Sequence, residues 1–311
     1  MKLGMTRRGL LAVTAAVAVF GATAASAQEK TYALIQINQQ ALFFNQINEG
    51  AQKAADAAGV KLAIFNANND PQAQNSAIET FIQQKVDGIA VVAIDVNGIM
   101  PAVQQAADAG IPVVAIDAIL PEGPQKAQIG VDNTKTSEDF AKFVLEQHKD
   151  QDVKMGEVVA LNSFIQNVRK DAFNAVLKTD PKVTVASEVD GQNVQDVALG
   201  AAENLLTANP DLTAIYATGE PAMVASVAAA ESQGRQDSVK VYGWDLTSNV
   251  IDGIDAGFVG GVVQQDPAGM GKAAIEALVK VAAGESVEPV ISVPATIVTK
   301  ENVDQFRDLF K

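Results

Sequence analysis

The chain has 311 residues, a formal net charge of −14, a single histidine and no cysteine. A surface this acidic repels phosphate backbones, which excludes nucleic acid as a partner. With no cysteine and one histidine the usual ligand sets for a transition metal are missing, and no cofactor or metal is implied.

Residues 1–27 do not read as folded protein. Lys2, Arg7 and Arg8 make a basic start, an apolar stretch runs from Gly9 to about Ala22, and Ala25-Ser26-Ala27 fits a signal-peptidase site. Thr6-Arg7-Arg8-Gly9-Leu10-Leu11 resembles a twin-arginine export signal. Export to the periplasm with cleavage near Ala27 is therefore expected. Loss of residues 1–27 removes three basic groups and leaves 284 residues with a charge of −17. That length allows one large domain or two of ordinary size. No later apolar run reaches the ~20 residues that span a bilayer, so the mature protein is expected to be soluble, without stable membrane insertion.

Beyond the leader, short β-branched runs alternate with stretches of helical spacing. The strand-like runs of the first half are Tyr32–Ile37, Leu62–Phe65, Ile89–Ile94 and Val113–Ile116. Between them, Ile47, Ala51, Ala54 and Ala58 share one helix face, Ile78, Phe81 and Ile82 another, and Val103, Ala106 and Ala107 a third. Ala58-Gly59, Asp87-Gly88 and Gly110-Ile111-Pro112 mark turns. After a loop at Pro121–Lys126 the rhythm restarts, with strands at Val158–Leu161, Val183–Val189, Ala214–Ala217, Val239–Gly243 and Gly261–Val263. Helices around Val168–Leu177, Ala198–Leu206 and Met223–Ala230 separate them. Nearly unbroken apolar strands alternating with helices predict parallel sheets covered on both faces, in two similar α/β units.

Ligands of open parallel sheets bind beyond the carboxyl ends of the strands. The groups closing the strands are Asn38-Gln39-Gln40 with Phe43-Phe44, Asp95, Asp117, Asn162, Glu220, Trp244-Asp245 and Gln264-Gln265. Catalytic signatures are missing: there is no Gly-x-Ser-x-Gly elbow and no Gly-rich dinucleotide loop after the first strand. Gly271-Lys272 lacks the other residues of a P-loop, having Asp266 and Ala273 where Gly and Ser or Thr are needed. Asn66, Asn68 and Asp70 imitate the start of a calcium loop, but Pro71 and Ala77 break it, leaving a polar turn. His148, in a charged stretch, reads as a solvated helix residue. What remains suits a polyhydroxylated ligand, because carboxylates and amides serve hydroxyl rims while flat rings cover C–H faces. Aromatics make up 5% of the chain, which gives weight to a Phe-Phe pair and the sole Trp at strand ends.

Several stretches taken together carry a resemblance. They are Phe43-Phe44-Asn45-Gln46-Ile47-Asn48-Glu49-Gly50-Ala51, Asn69-Asp70-Pro71, Val86-Asp87-Gly88-Ile89, Gly110-Ile111-Pro112-Val113-Val114 through Asp117, and Val241–Asp245. In combination and order they resemble the ribose-binding-like periplasmic proteins of ABC-type sugar importers (type I periplasmic binding proteins), over almost the whole mature chain. The resemblance implies two Rossmann-like parallel-sheet lobes joined by a three-stranded hinge, 28–131 with 266–294 forming the N-terminal lobe and 132–265 with 295–311 the C-terminal one. It implies a monomer that closes on a monosaccharide or sugar alcohol and is recognised by a membrane permease, with no catalysis. Carried over, Phe43 and Phe44 pack on the sugar ring, Asp117 ends the fourth strand, and Arg169 reaches ring oxygens. Arg169 is one of three arginines beyond the leader. Trp244 with Asp245 forms the aromatic–Asp pair, and Gln265 is a hinge-side amide. Asn38, Gln39, Asp95 and Glu220 complete the expected ligand-binding set.

The departures from the family pattern are Ala118 where an Arg is common, Ala93 where an Asn is expected, and Gly219-Glu220 in place of Asn-Asp. They weaken the case for ribose and leave room for another aldose, a ketose or an open-chain polyol. Other readings are a sensory module presenting its closed form to a chemoreceptor or sensor kinase, a repressor effector domain, disfavoured by the export signal, and an enzyme, disfavoured by the missing catalytic set.

Overall fold

The computed structural model describes Met1 and residues 30–310; the leader and its cleavage site lie outside these. Twelve strands and nine helices are described. The first sheet comprises β1 (Thr31–Gln36), β2 (Lys61–Asn66), β3 (Gly88–Val91), β4 (Val113–Ile116), β5 (Ala127–Gly130) and β11 (Val290–Ser292). The second comprises β6 (Val153–Val159), β7 (Val183–Asp190), β8 (Ala214–Ala217), β9 (Lys240–Trp244), β10 (Val259–Gln264) and β12 (Thr296–Val298). Their orders correspond: β2-β1-β3-β4-β5-β11 and β7-β6-β8-β9-β10-β12. All pairings are parallel except that of β12 with β10.

Each sheet therefore reverses its winding beside its first strand, between β1 and β3 and between β6 and β8. Helices that follow neighbouring strands depart there to opposite faces and leave a crevice. The helices are α1 (Leu42–Ala58), α2 (Pro71–Gln84), α3 (Met100–Asp108), α4 (Asn133–Gln147), α5 (Phe164–Leu177), α6 (Gln195–Ala208), α7 (Glu220–Ser232), α8 (Ser248–Ala256) and α9 (Pro267–Ala282). Helix α9 follows a strand of the second sheet but packs on β3, β4, β5 and α1 of the first unit. The chain thus passes between sheets after Gly130, after Gln264 and between Ser292 and Thr296.

The α1–α9 contact depends on two glycines. A Cβ on Gly50 would run into the Ala268 carbonyl, and one on Gly271 into the Ile47 carbonyl. Only bare backbone lets these helices approach so closely. One buried cluster, including Tyr32, Phe44, Ile47, Phe140, Tyr216 and Trp244, draws on both units, while two further clusters fill the opposite faces of the sheets. The site edge of each unit is thus set on a rigid packed base.

Candidate functional site

The two sheets present matched carboxylates. Strand β4 ends at Ile116 and β9 at Trp244, and the next residues, Asp117 and Asp245, have φ of 64° and 71°. A left-handed backbone is uncommon outside glycine, although Asp and Asn tolerate it best. The Asp117 N–H donates to the Ile129 carbonyl at 2.7 Å, and the Asp245 N–H to that of Val263 at 2.9 Å. A glutamine from each neighbouring strand fixes the loop that follows: Gln128 Oε1 accepts from Leu120 N–H at 2.6 Å, and Gln264 Oε1 from Leu246 N–H at 2.7 Å. The surroundings impose the same strained turn twice, as functional sites often do.

Arg169 joins the two carboxylate positions. Ser163 caps α5 by accepting from Gln166 N–H, and Arg169 lies in the second turn of the helix, 3% exposed. Its Nε donates to Asn133 Oδ1 at 2.7 Å, Nη1 to the Thr218 carbonyl at 3.2 Å, and Nη2 to Gln265 Oε1 at 3.1 Å. Gln265 Nε2 in turn donates to Asp245 Oδ1 at 2.8 Å. The guanidinium lies 3.9 Å over the Trp244 ring and 3.6 Å from Asp117 Oδ1. That oxygen is buried and accepts no hydrogen bond.

The third wall is α1, which follows β1 as α5 follows β6. Phe43 and Phe44 meet edge to face, 5.3 Å apart at 79°, at the start of this helix. Glu220, the first residue of α7, accepts from Leu42 N–H and Phe43 N–H, each at 2.7 Å. The resulting cleft is lined by the aromatic pair, Asp117, Arg169, Glu220, Asp245 and Gln265, and by Ala93 and Ala118. Its enclosed volume is about 50 Å³, several times the roughly 10–15 Å³ that admits one water.

Burial sets the electrostatics. It pushes the Asp117 carboxyl up, opposed by Arg169. It raises Glu220 to about 7 despite the two backbone donors, and Asp245 to about 6 despite Arg169 and Gln265. Three carboxyls and one guanidinium thus share a space with little water, where hydrogen-bond donors brought by a ligand gain strength. Among the described residues, no three acidic, histidine or cysteine side chains are grouped to hold a metal ion.

Of the residues expected at the site, Phe43, Phe44, Asp117, Arg169, Glu220, Asp245 and Gln265 meet in the cleft. Four others lie elsewhere. Trp244 is 0% exposed, lies behind Arg169 and donates its indole N–H to Tyr216 Oη at 3.0 Å. As the last strand residue it faces inward, and the left-handed turn at Asp245 sends only the carboxylate outward. Asn38 is buried, its Oδ1 accepting from Gln40 N–H and Ala41 N–H, so it shapes the loop before α1. Gln39 is exposed, and its carbonyl accepts from Asn45. Asp95 is exposed and accepts from Asn97 N–H and Gly98 N–H in a tight turn. His148 is likewise not simply solvated: half-buried, it is held 2.9 Å from Tyr242 Oη, and burial lowers its pKa.

Sequence reasoning missed Asn133, Gln166, Thr218, Asn69 and Asn193. Gln166 links Asn193 and Thr218 through bonds of 2.7 Å each. Its spacing from Arg169, one turn along α5, was the available signal. Nothing local marks Asn133, which reaches Arg169 from 36 residues away.

Two doubly wound units closing on a polar, aromatic-walled cleft define a ligand-binding protein of two-lobed α/β type. The sequence profile of the periplasmic binding protein domain matches residues 32–286, and the chain belongs to that family. Among its relatives, the ribose import binding protein RbsB of Bacillus subtilis is 28% identical over 260 residues, 83% of this chain and 84% of that one. A xylitol-binding protein of Mycolicibacterium smegmatis is 26% identical over 294 residues, 91% of this chain and 81% of that protein. Among solved structures, an ABC transporter solute-binding protein from Mycobacterium smegmatis with bound glycerol superposes with a TM-score of 0.84. It is 26% identical, and the match covers 89% of this chain and 96% of that one.

Proposed function

We propose that the chain is an exported receptor that captures a monosaccharide or sugar alcohol and delivers it to an ABC permease. The observation that carries this reading is the matched pair Asp117 and Asp245, one from each sheet, facing a single cleft with Arg169 between them and Phe43-Phe44 opposite. Strong acceptors for hydroxyls beside flat apolar rings are what a polyhydroxylated molecule requires. The names of the relatives and the glycerol of the solved neighbour support the same class. The three chain passages between sheets would form the hinge, with lobes of 28–131 plus 266–294 and 132–265 plus 295–311. Closure about such a hinge needs only a few residues to change φ and ψ. The mature protein, cleaved near Ala27, would act in the periplasm as a monomer and turn nothing over.

The test is a thermal-shift screen of the mature protein against pentoses, hexoses, tetritols, pentitols and hexitols, with hits confirmed by calorimetry. A ligand at one hundred times its Kd adds about 2.7 kcal/mol, a shift of several degrees. Recovery of the ligand unchanged after incubation is expected. A panel without hits, beside a clear shift with amino acids, would overturn the reading.

A further inference from the structure

Helix α1 begins without a cap of its own. The N-cap residue is Ala41, in extended conformation, and it offers no side-chain acceptor to the first N–H groups. Such groups must find a partner when buried. Here the partner arrives from the other unit. Both oxygens of Glu220 are engaged, Oε1 by Leu42 N–H and Oε2 by Phe43 N–H, 178 and 177 residues away in sequence. Glu220 is 7% exposed and also sits in the first turn of its own helix, α7. One carboxylate therefore neutralises two positive helix ends that would otherwise face each other across the cleft.

We propose that Glu220 is a positioning residue that caps α1 across the cleft, so that the Phe43–Phe44 pair is locked onto the ligand only when the two units close. This rests on the reading of the protein as a closing receptor. Glu220 lines the same cleft as Asp117, but the two differ in kind. Asp117 Oδ1 is buried and accepts nothing, so it is left for the ligand. Both Glu220 oxygens already hold short bonds from the backbone that carries the aromatic pair. When the units part, water serves the carboxylate and both N–H groups; when they close, these groups lose water and must pair with each other. The cap acts on closure and not on any one hydroxyl, so its contribution is the same for every ligand.

The absence of cysteine permits clean labelling. Spin labels at Lys53→Cys on α1 and Lys178→Cys at the end of α5, both exposed positions, report the distance between units. Two variants are compared with the parent, with and without ligand. Glu220→Gln replaces one acceptor oxygen by a donor. Ala41→Ser gives Phe43 N–H an acceptor within its own helix, competing with Glu220. Both are expected to move the distance distribution toward separated units, Ala41→Ser less than Glu220→Gln. Glu220→Gln is expected to speed ligand release about 10- to 100-fold, as the loss of one charge-assisted bond implies, by a common factor across ligands. Unchanged distances and release rates in both variants would overturn the proposal, as would a loss confined to one ligand of several. If the parent protein binds no sugar or polyol, the receptor reading falls, and the ligand-free distances still decide whether Glu220 holds the units together.

Discussion

Replacing Arg169 by Met removes the guanidinium but keeps a side chain of similar length over Trp244. The structure sets the size of the loss. Three charge-assisted bonds disappear, to Asn133, Thr218 and Gln265. The cation 3.9 Å over the indole also goes, and Asp117 loses the positive charge 3.6 Å away. Summing three bonds at about 1.5–3 kcal/mol each would overstate the cost, because the freed acceptors border a cleft that water can enter. Asp117 can also take up a proton, since burial already raises its pKa and Arg169 is what opposes the rise. Breaking a buried pair typically costs about 3–5 kcal/mol. At about 2–4 °C per kcal/mol, the ligand-free protein should melt roughly 6–20 °C lower at pH 8.

The pH dependence makes the test specific. Without Arg169 the folded-state pKa of Asp117 lies further above its unfolded value. The folded state then binds the extra proton, and stability falls as pH rises through that interval. The deficit of Arg169→Met should therefore be largest at pH 8 and shrink toward pH 5. Calorimetric melting at the two pH values decides. A variant within 1 °C of the parent at pH 8, or a deficit unchanged at pH 5, would refute the account of Arg169 as partner to a buried carboxylate.

Glu157 on β6 is 1% exposed, and burial raises its carboxyl to about 7; between the unfolded value of 4.5 and 7 the folded state holds the extra proton. Stability should fall across that window by about 3 kcal/mol, and Glu157→Gln should melt higher than the parent at pH 8 but not at pH 4.5. Asp245→Ala should abolish ligand binding in calorimetry, because it removes a buried acceptor from the cleft, and should also melt lower, because alanine tolerates φ of 71° less well than aspartate; unchanged affinity would contradict the role given to this carboxylate. Gly271→Ala would drive a methyl group into the Ile47 carbonyl and part α1 from α9; a loss of at least about 2 kcal/mol in unfolding free energy is expected, read as a lower denaturant midpoint, and an unchanged midpoint would contradict the packing described. Trp244 fluorescence should change on ligand addition although the ring is fully buried, because Arg169 stacks on it; a flat titration with a ligand shown to bind by calorimetry would disconnect that stack from the cleft.

The central strands were legible because they are buried on both faces. Val113–Ile116 and Ala214–Ala217 occur as read, each a continuous apolar run. Strand β3 stops at Val91, short of the run Ile89–Ile94, because Gln74 takes over the backbone there, bonding the Val92 carbonyl and the Ile94 N–H. Strands β5, β11 and β12 gave no clear signal: they have three or four residues, and Val290 of β11 is 70% exposed. Asp117 and Asp245 were found from sequence because each follows an apolar strand directly. Trp244 was misplaced because adjacency in sequence says nothing about facing: within a strand neighbours point to opposite sides, and only the positive φ at Asp245 brings the carboxylate round. Two partners of Arg169 were invisible because Asn133 and Thr218 converge on it from separate elements; Gln265 was expected as a hinge-side amide, and only its bond to Arg169 was not.

The polar cleft carries costs that a stability-driven design would avoid. Two left-handed aspartates, three carboxyls whose pKa burial raises, and a buried oxygen without a donor are each unfavourable in the unliganded, closed form. None of these side chains belongs to the apolar clusters that pack the sheets behind the cleft. A ligand rich in hydroxyls supplies the donor that Asp117 Oδ1 lacks, adds to the one that Gln265 gives Asp245, and offsets those terms in the closed form. Separation of the units offsets them too, by admitting water to the same groups. The dry, closed and empty cleft is thus the least favourable of the three arrangements for these side chains, apart from the bonds that Glu220 makes to α1. A receptor that must release its ligand needs that ordering, because a strongly preferred empty closed state would admit no new ligand. The cap at α1 therefore has to be strong enough to hold the aromatic pair in place and too weak, by itself, to keep the empty cleft shut.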